Sequence, residues 1–81
     1  MASITIYSTP TCGFCHMAKA YFQSKNIDYT EKDVSTDIAG QKEMIEKSQQ
    51  MGVPVIDING SVVVGFDRPK IDILLRQNDL V

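Results

Sequence analysis

The stretch Ile6-Tyr7-Ser8-Thr9-Pro10-Thr11-Cys12-Gly13-Phe14-Cys15-His16 decides the fold. A run alternating apolar and polar from Ser3 to Ser8 reads as a strand, Pro10 punctuates it, and a helical pattern starts between the two cysteines. A thiol at a helix start faces backbone N–H groups that have no intrahelical partner. These groups and the positive end of the helix dipole favour thiolate over thiol. A second thiol three residues on lies within reach of the first, so Cys12 can attack a disulfide and Cys15 can resolve the mixed disulfide that forms. Lowering a thiol pKa from about 8.5 to about 6 raises the neutral-pH thiolate fraction roughly thirty-fold, while intrinsic nucleophilicity falls roughly ten-fold. The larger gain is in leaving-group ability when Cys15 closes the ring.

Outward from the cysteines, Thr11 reads as a helix N-cap with Cys12 in the first turn. Met17, Ala18, Tyr21 and Phe22 recur at helical spacing to about Ser24, forming one inward face. Ile27 to Val34 reads as a second strand. Ser35-Thr36-Asp37 starts a second helix, interrupted by Gly40 and running to about Ser48, with Ile38, Met44 and Ile45 inward. Val53–Ile58 and Ser61–Val64 are strands joined by Asn59-Gly60, a pair that favours a two-residue hairpin turn. Asp67 caps a last helix with Pro69 in its first turn and Ile71, Leu74 and Leu75 on one face, and Phe66 is placed to staple onto Ile71. The element order is β-α-β-α-β-β-α, a single α/β domain over residues 1–81 whose helices and hairpin share one core.

Composition narrows the function classes. With 43% hydrophobic and 22% charged residues over 81 positions, the chain is globular and has room for one small domain. A structural staple is a poor use of a ring of about four residues, because loop-entropy arithmetic gives it only roughly 2 kcal/mol. The net charge of −2 argues against nucleic-acid binding, which needs a basic face. The first 27 residues hold Lys19, Lys25 and no acid, so the Cys half is mildly positive. No targeting signal and no membrane-length apolar run is visible, so the expected compartment is the cytosol, where a close Cys pair is catalytic or metal-binding rather than a permanent bridge. Cys12-Gly-Phe-Cys15-His16 also fits the haem-attachment string, but that use implies export. A zinc site needs four ligands, and two Cys with an adjacent His do not close one.

These residues resemble the glutaredoxin family and the wider thioredoxin fold across essentially the whole chain. The resemblance rests on the stretch ending at His16, on Gly52-Val53-Pro54-Val55 and on Gly65-Phe66-Asp67. It implies a thioredoxin-like α/β fold, a four-stranded mixed sheet with three helices, and a cis Val53–Pro54 peptide facing the Cys loop. It further implies a thiol-disulfide oxidoreductase with Cys12 and Cys15 catalytic and Thr11, Phe14, Val53, Pro54, Gly65, Phe66 and Asp67 binding the substrate. Val53 would pair with the backbone of glutathione or a substrate peptide, and the γ-glutamyl end of glutathione would sit at the start of the last helix, on the backbone after Gly65 and on Asp67. Phe14 reads as an exposed platform for the ligand.

Two departures stand out: Thr9 where many glutaredoxins carry a basic residue for the glycyl carboxylate, and Arg68 where many carry a second acid. The expected partners are disulfide-bearing proteins, with glutathione as co-substrate or thioredoxin reductase as electron source, and the protein is expected to be a monomer with no bound cofactor or metal. Gly-Phe-Asp-Arg-Pro also looks like redoxins that serve ribonucleotide reductase. Gly13 is similar to the glycine of monothiol glutaredoxins that carry an iron–sulfur cluster between protomers, a use that Cys15 argues against. His16 reads as an ordinary surface residue, Tyr7 and Phe22 as core, and Met17, Met44 and Met51 as packing residues.

Overall fold

A computed structural model describes residues 3–50 and 52–78. Its elements are β1 (Ile4–Ser8), α1 (Gly13–Ser24), β2 (Thr30–Asp33), α2 (Ile38–Ser48), β3 (Val55–Ile58), β4 (Ser61–Val64) and α3 (Arg68–Gln77), in the expected order. The sheet runs β2-β1-β3-β4, with β1 and β2 parallel and the other pairs antiparallel. It is the four-stranded mixed sheet with three helices of the thioredoxin-like fold.

Alternation along the strands divides the apolar residues between two faces. Ile4, Ile6, Ile56, Ile58 and Val63 pack with Ala18 and Phe22 of α1 and with Ile71 and Leu75 of α3. Tyr7 and Val55 point the other way and pack with Val34 and Met44 of α2. The core is therefore two clusters, one on each face of the sheet, and not the single shared core read from the element order.

Local chemistry explains the element ends. Asn59 and Gly60 both have positive φ (51° and 95°), the backbone of the expected hairpin turn, and Asp57 Oδ1 accepts from the Gly60 N–H at 2.8 Å. Asp67 caps α3 by accepting from the Lys70 N–H, Pro69 lies in the first turn, and half-buried Phe66 packs on the cluster containing Ile71. Asp37 caps α2 through the Gly40 N–H at 2.9 Å. Gly40 does not break the helix: a Cβ there would come within 2.8 Å of the capping carboxylate, so a residue without one suits the position.

Several sequence expectations are corrected. Strand β2 is shorter than Ile27–Val34, because Asn26 turns left-handed (φ 56°) and Ile27 folds back to donate to the Phe22 carbonyl. Strand β3 starts at Val55, since Pro54 has no N–H to give the ladder. Ile38 is 69% and Met17 53% exposed, so neither is the inward residue its spacing implied. The α1 stripe is instead Cys15, Ala18 and Phe22, with Tyr21 half-buried at its edge. Met44 is buried as expected, and Met51 lies outside the described residues.

Candidate active site

The strand order brings the sequence-selected residues to one end of the sheet. Strand β1 ends at Ser8, β3 begins antiparallel beside it with Tyr7 opposite Val55, and β4 ends with Val64 opposite Val55. The Thr9–Cys12 turn, the Val53–Pro54 peptide and the Gly65–Asp67 segment therefore share this end. The Val53–Pro54 peptide is cis, as the resemblance implied. The Pro54 carbonyl accepts from the Gly65 N–H at 2.8 Å, tying that peptide to the segment that enters α3.

The N-cap of α1 is Cys12, not Thr11. The Cys12 backbone is extended, its carbonyl accepts the first helical bond from the His16 N–H, and its Sγ accepts from the Cys15 N–H at 3.1 Å. Sulfur thus occupies the place a Ser or Thr oxygen takes in an ordinary cap, and it binds one of the orphan N–H groups at the helix mouth. Thr11 is exposed on the turn before the cap.

Cys12 is half-buried, whereas Cys15 is 0% exposed against the sheet. The two are joined as a disulfide, with Cα atoms 5.2 Å apart, within the span a bridge requires. Phe14, between them, is 63% exposed and available as the flat apolar surface expected of it.

The mild positive charge of the Cys half is committed elsewhere. Lys19 Nζ lies 2.6 Å from Glu31, whose carboxyl is held below its ordinary range by hydrogen bonds from Lys19 and then from Ser8. Lys25 sits at the far end of α1, over the Tyr21 ring. The helix mouth and its N–H groups, rather than a lysine, are the electrostatic resource at Cys12.

At α3, Asp67 is exposed beside half-buried Gly65 and Phe66. Arg68 does not stand free there, because its guanidinium stacks 4.8 Å from the centre of the Tyr21 ring on α1. Phe66 meets the same ring edge-on at 5.8 Å, and the Tyr21 hydroxyl donates to Asp72 of α3. Tyr21 thus ties the cysteine helix to the Gly65–Asp67 segment, a role that its reading as one more core position did not contain.

His16, read as an ordinary surface residue, is exposed, and its Nε2 lies 2.9 Å from the Pro10 carbonyl. Among the described residues no group of three or more His, Cys, Asp or Glu is arranged to hold a metal ion, and no helix is long and apolar enough to cross a membrane.

Residues 4–63 match the glutaredoxin family model. A glutaredoxin-like 8.6 kDa protein encoded in a rubredoxin operon of Clostridium pasteurianum is 47% identical over 74 residues, covering 91% of this chain and 99% of that protein. Glutaredoxin 3 of Escherichia coli K12 is 37% identical over 67 residues, covering 83% and 81%. Among solved structures, the thioredoxin-like protein BC3987 superimposes with a TM-score of 0.85 at 32% identity, covering 90% of this chain and all of the other.

Proposed function

The chain belongs to the glutaredoxin family, and from that premise we propose that it is a thiol-disulfide oxidoreductase reducing protein disulfides and glutathione mixed disulfides. The observation that carries this reading is the asymmetry of the pair: Cys12 is half-exposed at the helix cap with an N–H on its sulfur, and Cys15 is fully buried behind it. In the reduced protein the Cys12 thiolate attacks a substrate disulfide, and one substrate sulfur leaves as a thiolate that takes up a proton. Cys15, losing its proton, attacks Cys12 Sγ and expels the second substrate sulfur. Two electrons pass to the substrate and the Cys12–Cys15 bridge remains.

Thr11, Phe14, Val53, Pro54, Gly65, Phe66 and Asp67 form the binding surface in this proposal. The backbone of Val53 pairs with the ligand chain, Phe14 supplies apolar contact, and the start of α3 with Asp67 receives the γ-glutamyl end of glutathione. The protein works as a cytosolic monomer without a bound cofactor.

Arg68 favours a second reading of the electron source. Its guanidinium is stacked on Tyr21 where many relatives supply a second acid, and Thr9 offers no cation for the glycyl carboxylate. Both features weaken the case for glutathione and favour re-reduction by thioredoxin reductase, as in redoxins that donate electrons to ribonucleotide reductase. Supplying the oxidised protein separately with glutathione plus its reductase and with thioredoxin reductase, then counting restored thiols, separates the two.

The reaction itself is tested on the cysteines. Cys12→Ser abolishes disulfide reduction, and Cys15→Ser stops protein-disulfide turnover and accumulates a mixed disulfide visible by mass. Full activity in the Cys12→Ser protein would end the proposal.

A further inference from the structure

Once the Cys12–Cys15 bridge is reduced, the turn that carries Cys12 has little to hold it. Thr11, Gly13 and Phe14 are exposed, and a Cβ built on Gly13 would meet nothing within 4 Å, so packing does not brace the segment between the strand and the buried Cys15. Backbone bonds give it two ties: the Cys12 N–H to the Thr9 carbonyl and the His16 N–H to the Cys12 carbonyl, both at 3.2 Å. Pro10 has no N–H, leaving its carbonyl as its one backbone hydrogen-bonding group. His16 Nε2 reaches that carbonyl at 2.9 Å from the first turn of α1. Among the described residues, this is the one side-chain bond from the body of α1 onto the Thr9–Thr11 segment.

We propose that His16 is a positioning residue, which clamps the Pro10 carbonyl and thereby holds the Cys12 sulfur at the α1 N-terminus. The inference rests on the oxidoreductase reading for what Cys12 does, but the clamp is a separate claim. A carbonyl oxygen only accepts, so Nε2 carries the hydrogen and Nδ1 holds the lone pair of the neutral ring. With the clamp broken, the turn pivots on its backbone ties. The sulfur then spends less time within reach of the Cys15 N–H, and its thiolate is less favoured.

The test compares His16→Ala, which removes the donor, with His16→Gln, which keeps an N–H at comparable reach without an imidazole. Reduced full-length proteins are alkylated with iodoacetamide at a pH below the Cys12 titration, the rate is assigned to Cys12 by peptide mass, and the pH dependence of thiolate absorbance is recorded. One neutral hydrogen bond changes the equilibrium constant between the held and released turn by about two- to ten-fold. The expected result is that His16→Ala weakens Cys12 ionisation by about that factor, seen as a thiolate titration moved to higher pH, and slows alkylation below that titration by less, because the more basic sulfur is the better nucleophile; His16→Gln restores most of both. Wild-type behaviour in His16→Ala overturns the clamp, and so does a His16→Gln protein that matches His16→Ala. Neither outcome touches the oxidoreductase reading, which falls only if Cys12→Ser retains disulfide reduction.

Discussion

Replacing Lys47 with Met removes the cation at the centre of the polar network that fastens α2 to the sheet. Its Nζ lies 2.6 Å from Asp57 Oδ2, 3.1 Å from the Tyr7 hydroxyl and 3.3 Å from Glu43 Oε1. The Asp57 side chain is only 12% exposed, and without Lys47 its carboxylate keeps one donor, the Gly60 N–H at 2.8 Å. Breaking a fully buried ion pair costs about 3–5 kcal/mol, because the remaining charge stays desolvated. Lys47 is itself 35% exposed, so water partly replaces it. The expected loss is about 2–3 kcal/mol, part of it offset by the Met stem covering the same apolar surface. For a domain of this size that lowers the melting temperature by roughly 10–20 °C. Urea melts of Lys47→Met, Asp57→Asn and the double variant supply the cycle. Asparagine keeps an oxygen for the Gly60 N–H but carries no charge, so adding it to Lys47→Met is expected to recover about 1 kcal/mol. A loss below about 0.5 kcal/mol in Lys47→Met, or a double variant that simply adds the two single costs, would refute this account of the network.

Three further outcomes are expected. Glu43 is held at about 2 by the hydrogen bond from Tyr7, then by those from Lys32 and Lys47, against an ordinary value of 4.5. A depressed carboxylate stabilises the fold above its unfolded pKa, and that contribution is lost as pH falls from about 4.5 towards 2. The side chain is 39% exposed, so solvent screening reduces the nominal ~3 kcal/mol to about 1 kcal/mol; Glu43→Gln should flatten the acid limb of a pH–stability curve by that amount. Gly60→Ala places a Cβ at φ 95°, costs about 1 kcal/mol or more in a thermal melt, and leaves the Cys12 alkylation rate unchanged. Thr9→Lys tightens glutathione binding in calorimetry if the glycyl carboxylate site is used, and unchanged heats would count against glutathione as the ligand.

The fold was legible where short-range chemistry determines it. Asn59-Gly60 takes the positive φ values that few other residues tolerate, and Asp67 with Pro69 marks the start of α3 on its own. The cysteines likewise announced the α1 N-terminus, because their spacing is that of a cap and the N–H it binds. The identity of the cap was not legible: Thr11 is the better cap by residue type, and Cys12 takes the position because its sulfur meets the Cys15 N–H. Met17 and Ile38 carry apolar side chains near helix starts, where periodicity is too short to fix which face turns inward. The ties that set the α2 face were beyond sequence reach, since Tyr7 and Glu43 lie 36 residues apart and Lys47 and Tyr7 40. A tyrosine in a strand reads as core from its ring alone; the partner of its hydroxyl depends on the packing of another helix.

The two halves of the molecule are held by different forces, and perturbations can tell them apart. On the α2 face, Tyr7, Glu43, Lys47, Asp57 and Lys32 interlock across β1, β2, β3 and α2, and losing one member leaves others desolvated. At the cysteine end, the turn before α1 has few packing contacts and relies on single hydrogen bonds, so losing one costs little stability but changes where a sulfur sits. Lys47→Met should therefore lower the melting temperature while Cys12 alkylates at its usual rate below the transition. His16→Ala should do the reverse, moving the Cys12 thiolate titration to higher pH and slowing alkylation below it, with a melting temperature within a few degrees of wild type. If both variants moved both quantities in parallel, the site would be coupled to global stability, and the separation between a stiff sheet and a lightly tethered nucleophile would be wrong.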